Sequence, residues 1–222
     1  WSFLHVVKPE VNLPEGIDLY SDEVYNKGRQ NLDKLITEGY FIQDSLDMFY
    51  IYGQTMFGKT QYGIVGCAAV EDYLDEKIKK HELTRPDKEE DRKNHIRVTN
   101  FNAEPVFFAY PDHAELDALV NKVVSGSPEY DFTTGDGVGH HFWLVDKQED
   151  VLRIIEIFQN DIEATYVADG HHRTAAAALV GQERKEKNPD HKGDEEYNFF
   201  LAVHFPASQL TIIDYNRVVK DL

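Results

Sequence analysis

Apolar positions change period several times along this chain, and the changes mark its elements. After an extended lead-in over residues 9–20, which holds Pro9 and Pro14, the residues Val24, Leu32, Leu35 and Ile36 recur at roughly helical spacing. Ser21 before them suits an N-cap, and Gly39 after them suits a C-cap. Residues 47–52 are aromatic-rich and predict a strand. Residues 53–61 contain glycines and read as a turn, and the small apolar residues of 62–70 read as the returning strand of a hairpin. A short helix is expected over 72–80.

The second half alternates in the same way. Aromatic and branched residues at 105–110 predict a buried strand, and Asp112 can cap a helix carrying Leu116, Leu119, Val120 and Val123. Residues 130–134 and 141–145 read as a hairpin around the Gly-rich 135–139. A helix over 150–159 would use Leu152, Ile155 and Ile157. A strand over 164–168 precedes a helix over 174–187 that contains four consecutive alanines, and two more strands are expected at 199–204 and 210–213. No repeat of fixed period and no linker-like stretch divides the chain. The expectation is one α+β domain over 1–222, with a mixed sheet and flanking helices.

Composition narrows the function. The chain is 41% hydrophobic, which argues against disorder. Its net charge of −17 makes it a poor general partner for nucleic acid or an anionic membrane. No run of about 18 apolar residues suits a bilayer. The single cysteine, Cys67, cannot form an internal disulfide, so a reducing, cytoplasmic setting is expected. The first residue is Trp rather than Met, so the chain is expected to be a fragment of something longer. Charge is unevenly spread. Residues 77–97 hold eight Lys/Arg against five Asp/Glu, and the remainder holds 15 against 35. A basic island therefore sits in an acidic protein, where it can steer an anionic substrate.

The segment richest in chemistry is 166–179. A strand ends at Asp169-Gly170, and a helix begins within the next few residues. The first amides of a helix lack intrahelical partners and carry the positive end of its dipole, which makes an anion site. Arg173 can add a guanidinium contact to phosphate, and Asp169 can take a proton or touch a metal. The competing reading is a common Asp-Gly turn followed by two surface imidazoles. The adjacent His171 and His172 diverge on a helix and do not make a zinc signature. A second candidate is 79–92. His81 and Glu82 suit acid/base or metal roles there, and Lys88 and Arg92 share a helix face after Pro86 with Asp91 beside them. A salt-bridged, solvated helix would explain the same residues. The third, Gly135-Asp136-Gly137-Val138-Gly139-His140-His141, reads as a flexible hairpin tip.

Three blocks, Lys79-Lys80-His81-Glu82-Leu83-Thr84 with Lys88 and Asp91-Arg92, Glu104-Pro105-Val106-Phe107, and Asp169-Gly170-His171-His172-Arg173, resemble a bacterial and archaeal family known as domain of unknown function 1015. The resemblance covers about residues 20–220. Members of that family are typically longer at both ends. The last block is also similar to the phosphate-binding turn of the ParB/sulfiredoxin-like superfamily, which includes nucleotide hydrolases, sulfinic-acid reductases and free-serine kinases. That resemblance implies a ParB/sulfiredoxin-like fold, with Gly170, His171, His172 and Arg173 around phosphates and Asp169 as base or metal contact. The reductases carry a cysteine in this turn where the present chain has histidine, so sulfinic-acid reduction is not expected.

These readings lead to a nucleotide-binding phosphotransferase or nucleotide hydrolase that uses ATP or ADP with Mg²⁺ and acts on a small metabolite such as serine. Asp169, Glu82 and His172 would be its catalytic groups. Gly170, His171, His172, Arg173, His81, Lys88 and Arg92 would hold the ligand, and Asp169 would face the metal. The alternatives are a non-catalytic anion- or nucleotide-binding regulatory module, and a metal-dependent hydrolase built on His81, Glu82, His171 and His172.

Overall fold

A computed structural model describes residues 2–212 and 216–220. Its centre is one mixed sheet of eight strands in the order β3-β7-β4-β8-β2-β1-β6-β5. The strands are β1 (Phe49–Met56), β2 (Lys59–Ala69), β3 (Ile78–Lys79), β4 (Val106–Tyr110), β5 (Tyr130–Thr133), β6 (Gly139–Val145), β7 (Thr165–Asp169) and β8 (Phe199–Pro206). β3 runs parallel to β7, and β4 runs parallel to β8; the remaining pairs are antiparallel. The helices are α1 (Leu4–Val7), α2 (Asp22–Thr37), α3 (Val70–Leu74), α4 (Pro86–Thr99), α5 (Ala114–Val124), α6 (Gln148–Asn160) and α7 (His171–Lys187). The expected α+β class with a mixed sheet and flanking helices is what the chain adopts. No helix among the described residues is long and apolar enough to cross a membrane.

Strand registry explains where the core sits. Ile51, Ile64, Trp143, Val145, Phe108, Tyr110, Val167 and Ala202 fall on one face. There they are buried under α5 and α6 at one end and under α7 at the other. All four of Ala175, Ala176, Ala177 and Ala178 are buried. Their small side chains let α7 lie against the sheet and also take α4 on its outer side. Arg97 ties α4 to α7 by donating twice to Glu183, at 3.0 and 2.6 Å. Removing a fully buried ring such as Phe108 from this layer costs about 3–5 kcal/mol. On the opposite face lie Tyr50, Tyr52, Phe107, His140, Phe142, Tyr166, Val203 and Phe205, with Tyr166 48% exposed.

Several expectations need correction. The 53–61 turn is only Phe57-Gly58, whose positive φ values of 50° and 76° make a tight two-residue hairpin. Gly53 lies inside β1, where a Cβ would come within 3.0 Å of the Trp143 ring; it is there for close packing, not for turning. The helix over 72–80 is instead α3, Val70–Leu74, followed by the two residues of β3. His113, not Asp112, caps α5 by accepting from the Leu116 amide. Asp112 accepts from the Ser208 amide. In α6 the buried set is Val151, Ile154 and Ile157, while Leu152 and Ile155 face outward. The lead-in contains a 3₁₀ turn at Pro9–Asn12. Leu210–Ile212 form no strand, and Ile213 lies outside the described residues. α2 begins after Ser21, as expected, but the Ser21 side chain makes no capping bond, and the C-cap is Glu38; Gly39 follows it at φ +75°, and the Tyr40 amide donates back to the Leu35 carbonyl.

Candidate functional site

The parallel pairing of β3 with β7 assembles the site. Ile78 lies opposite Thr165 and Lys79 opposite Tyr166, so both strands run out at the same edge of the sheet. Beyond β3 the chain continues into His81 and Glu82, and beyond β7 into Asp169 to Arg173. On the other side of β7, β4 runs antiparallel with Phe107 opposite Asp169, which brings the start of β4 and its Glu104-Pro105 lead to the same place. Three segments far apart in sequence thus meet at one strand end, where α/β sheets commonly place ligands.

The turn itself depends on Gly170. It holds φ +96° as the residue before α7, and a Cβ there would sit 3.1 Å from Val106. The first intrahelical bond of α7 runs from the Thr174 amide to the Gly170 carbonyl, at 2.9 Å. The amides of His171, His172 and Arg173 precede it and carry the positive end of the helix. The helix starts three residues earlier than the alanine pattern suggested, so both histidines and Arg173 belong to its first turn. Arg173 does not point freely into solvent. Its Nη1 donates to the Pro105 carbonyl at 2.5 Å, and its Nη2 lies 3.5 Å from Asp169. A guanidinium has five N–H donors, so these contacts orient the group and leave others for an anion.

The imidazoles carry the unusual chemistry. His171 is 6% exposed, and its Nδ1 lies 3.4 Å from a Glu82 oxygen. Its ring meets the His81 ring edge-on, with centroids 4.4 Å apart. Burial depresses the His171 pKa below the usual histidine range. Charge on His81 adds to this, and Glu82 and Asp169 oppose it. Of its two ring nitrogens only Nδ1 faces that carboxylate; the other is Nε2. That Nε2, and Nδ1 of His172, are buried without a hydrogen-bond partner among the described residues. Each such orphan costs on the order of 1–3 kcal/mol unless something satisfies it.

Other expected residues fall less centrally. Arg92 of α4 shares the wall of a small cavity of about 30 Å³ with Arg173 and Glu104. Lys88 is not at the turn. Its Nζ is 3.1 Å from the Tyr20 hydroxyl, on the surface of α4. Asp91 accepts from Tyr25 at 3.0 Å. Asp169 is 77% exposed at its side chain, lies 3.5 Å from Arg173, and can face a cation brought by a ligand. Among the described residues no group of three or more His, Cys, Asp or Glu is arranged to hold a metal ion by itself.

From this turn a groove runs over the aromatic face of the sheet. Its lining includes His81, Pro105, Phe107, Tyr166, Tyr52 and Phe205. Glu104, Pro105 and these groove aromatics join the candidates for the site. Their signal was present in the Glu104-Pro105 block and in the period-two alternation of β4 and β7. Only the pairing order shows that these positions adjoin the turn.

The chain matches a family model described as "Protein of unknown function (DUF1015)" over residues 1–222. Comparison with curated proteins and with solved structures finds no match.

Proposed function

The chain belongs to the DUF1015 family, and we propose that it is a nucleotide-binding phosphotransferase or nucleotide hydrolase acting on a small hydroxylated metabolite, in the manner of the serine kinases of the ParB/sulfiredoxin-like superfamily. One observation carries the reading. Two buried imidazole nitrogens, on His171 and His172, have no hydrogen-bond partner among the described residues at the point where helix amides, Arg173 and Glu82 converge. A terminal phosphate at the start of α7 would supply acceptors to the free amides and to Arg173. The aromatic groove beside it suits a flat base. ATP or ADP is the ligand proposed, with Mg²⁺ arriving on the phosphates and facing Asp169. When bound, the ion would neutralise phosphate charge.

The chain's own groups would divide the work. The α7 amides and Arg173 hold the phosphates and stabilise charge as transfer proceeds. Glu82, 69% exposed at its side chain, takes the proton of the acceptor hydroxyl while that oxygen bonds to phosphorus and the bond to the bridging oxygen breaks. His171 positions Glu82, and His172 donates to a phosphate oxygen. His81 packs on His171 and closes the site. Arg92 lends positive charge from the second layer.

Calorimetry tests the binding step. ATP affinity should fall at least 100-fold in Arg173→Ala, with partial rescue in Arg173→Lys and an unchanged circular dichroism spectrum. Equal affinity in the folded Arg173→Ala protein would remove the reading. A second reading, a regulatory module that binds nucleotide without turnover, draws on the burial of the His171 Nε2. Product formation with candidate hydroxyl acceptors separates the two.

A further inference from the structure

On the helix-covered face the two halves of the core leave a gap between them. α5 and α6 close over β1 and β6, and α7 closes over β4, β7 and β8. Between them, above the central strands β2 and β8, lies a cavity of about 200 Å³. Ile64, Gly66, Ala68 and His204 line its floor, and Phe158 of α6 and Ile78 of β3 line its walls. Gly66 keeps the floor low, because a Cβ there would lie 2.5 Å from the Phe49 ring. The His204 ring sits edge-on to Phe108 and Phe158, with centroids at 5.3 and 5.2 Å. Its Nδ1 is buried with no hydrogen-bond partner among the described residues.

Such a gap would ordinarily collapse or be filled by side chains, since interiors approach crystal-like density. An apolar cavity of about 150 Å³ in another protein stays dry and takes up benzene. This one is larger and more polar: His204 lies in its floor, and Cys67, Gln159 and Thr165 also line it. Burial holds the His204 pKa down to about 4, so the imidazole is neutral near pH 7 and offers one donor and one acceptor. At the mouth stand Asp72, Lys77 and Glu163; Lys77 and Asp72 pair with each other at 3.1 Å.

We propose that this cavity is a binding site for a small uncharged ring compound carrying a single hydroxyl or ring N–H, which hydrogen-bonds to His204. A charged ligand would lose its hydration in a mostly apolar chamber whose charged groups stand at the mouth, where Lys77 is already paired with Asp72. A purely aliphatic one would leave the imidazole unmatched. The site is separate from the nucleotide reading, because its floor is the opposite face of the sheet from the aromatic groove.

Protein-observed NMR with indole, phenol and benzene as probes tests it. Indole and phenol should shift the His204 Cε1–H and the Ile64 and Ile78 methyl signals saturably, with benzene about tenfold weaker. His204→Phe should abolish the preference of phenol over benzene. Ile155→Trp, at a 37% exposed position on the cavity wall, should close the mouth and weaken indole at least tenfold in a protein of unchanged melting temperature. No saturable shift with any probe, equal binding of phenol and benzene, or unchanged indole affinity in Ile155→Trp would overturn the proposal.

Discussion

Two segments of this protein are built from nearly the same letters. One is Gly135-Asp136-Gly137-Val138-Gly139-His140-His141, at the β5–β6 hairpin; the other is Asp169-Gly170-His171-His172-Arg173, between β7 and α7. The hairpin satisfies its polar groups internally. Asp136 accepts from the Thr134 hydroxyl at 2.5 Å and from the Val138 amide at 3.2 Å. His140 Nδ1 is 2.7 Å from the Tyr52 hydroxyl, and His141 lies 2.9 Å from both Asp131 and Thr55. At the β7–α7 turn two ring nitrogens are buried without hydrogen-bond partners among the described residues. Composition does not separate a structural His-His pair from a candidate ligand site. Hydrogen-bond accounting does.

The largest expected effect is at the turn. Beyond the Arg173 affinity loss, Glu82→Gln should lower turnover by about 10²–10⁴-fold while ATP affinity stays within about twofold. His141→Ala should change neither quantity in steady-state and calorimetric assays. A comparable loss from His141→Ala would erase the contrast between the two segments.

Gly170→Ala and Gly137→Ala sharpen it further. Both glycines have positive φ, +96° and +86°. Only at Gly170 would the new Cβ press on Val106, while Gly137 has open space. Denaturant unfolding should show a cost of about 2–3 kcal/mol at Gly170 and about 1 kcal/mol at Gly137.

A pH effect of smaller size follows from His171. Its pKa is lower in the folded state than in the unfolded chain, so the unfolded chain binds the proton more readily. The stability it contributes is fully present above the unfolded value of about 6.5 and is lost as pH falls toward the folded value. Measured unfolding free energy should therefore decline below about pH 6.5, and His171→Asn should flatten part of that decline. His204, with a folded pKa of about 4, adds a decline in the same sense over pH 6.5 to 4, on the order of 3 kcal/mol. Lys88→Ala, on the exposed surface against Tyr20, should leave both the melting temperature and ATP affinity unaltered.

How much of this was legible in the residues follows from how local each signal is. Caps, alternation and the Ala-rich run are local, so α2, β4, β7, α7 and the β5–β6 hairpin could be anticipated. β3 has two residues and no alternation to reveal it. It exists because it pairs with β7, and that pairing alone brings His81 and Glu82 to His171. Gly53 looked like a turn residue because glycine permits turns; its role is to admit the Trp143 ring. Lys88 and Arg92 share a helix face as expected, yet the crossing of α4 over α7 places only Arg92 beside Arg173. The His204 cavity had no local signal, because it arises where two helix layers fail to meet.

The central claim is that the turn before α7 grips an oxyanion. The most direct measurement is a ¹⁵N-detected titration of the backbone amides and imidazole nitrogens with ADP and with inorganic phosphate. Saturable shifts confined to the amides of 170–174, Nε2 of His171 and Nδ1 of His172, with His140 and His141 silent, are the predicted result. Silence at the turn while ligand binds elsewhere, or no saturable shift with either anion, would contradict it.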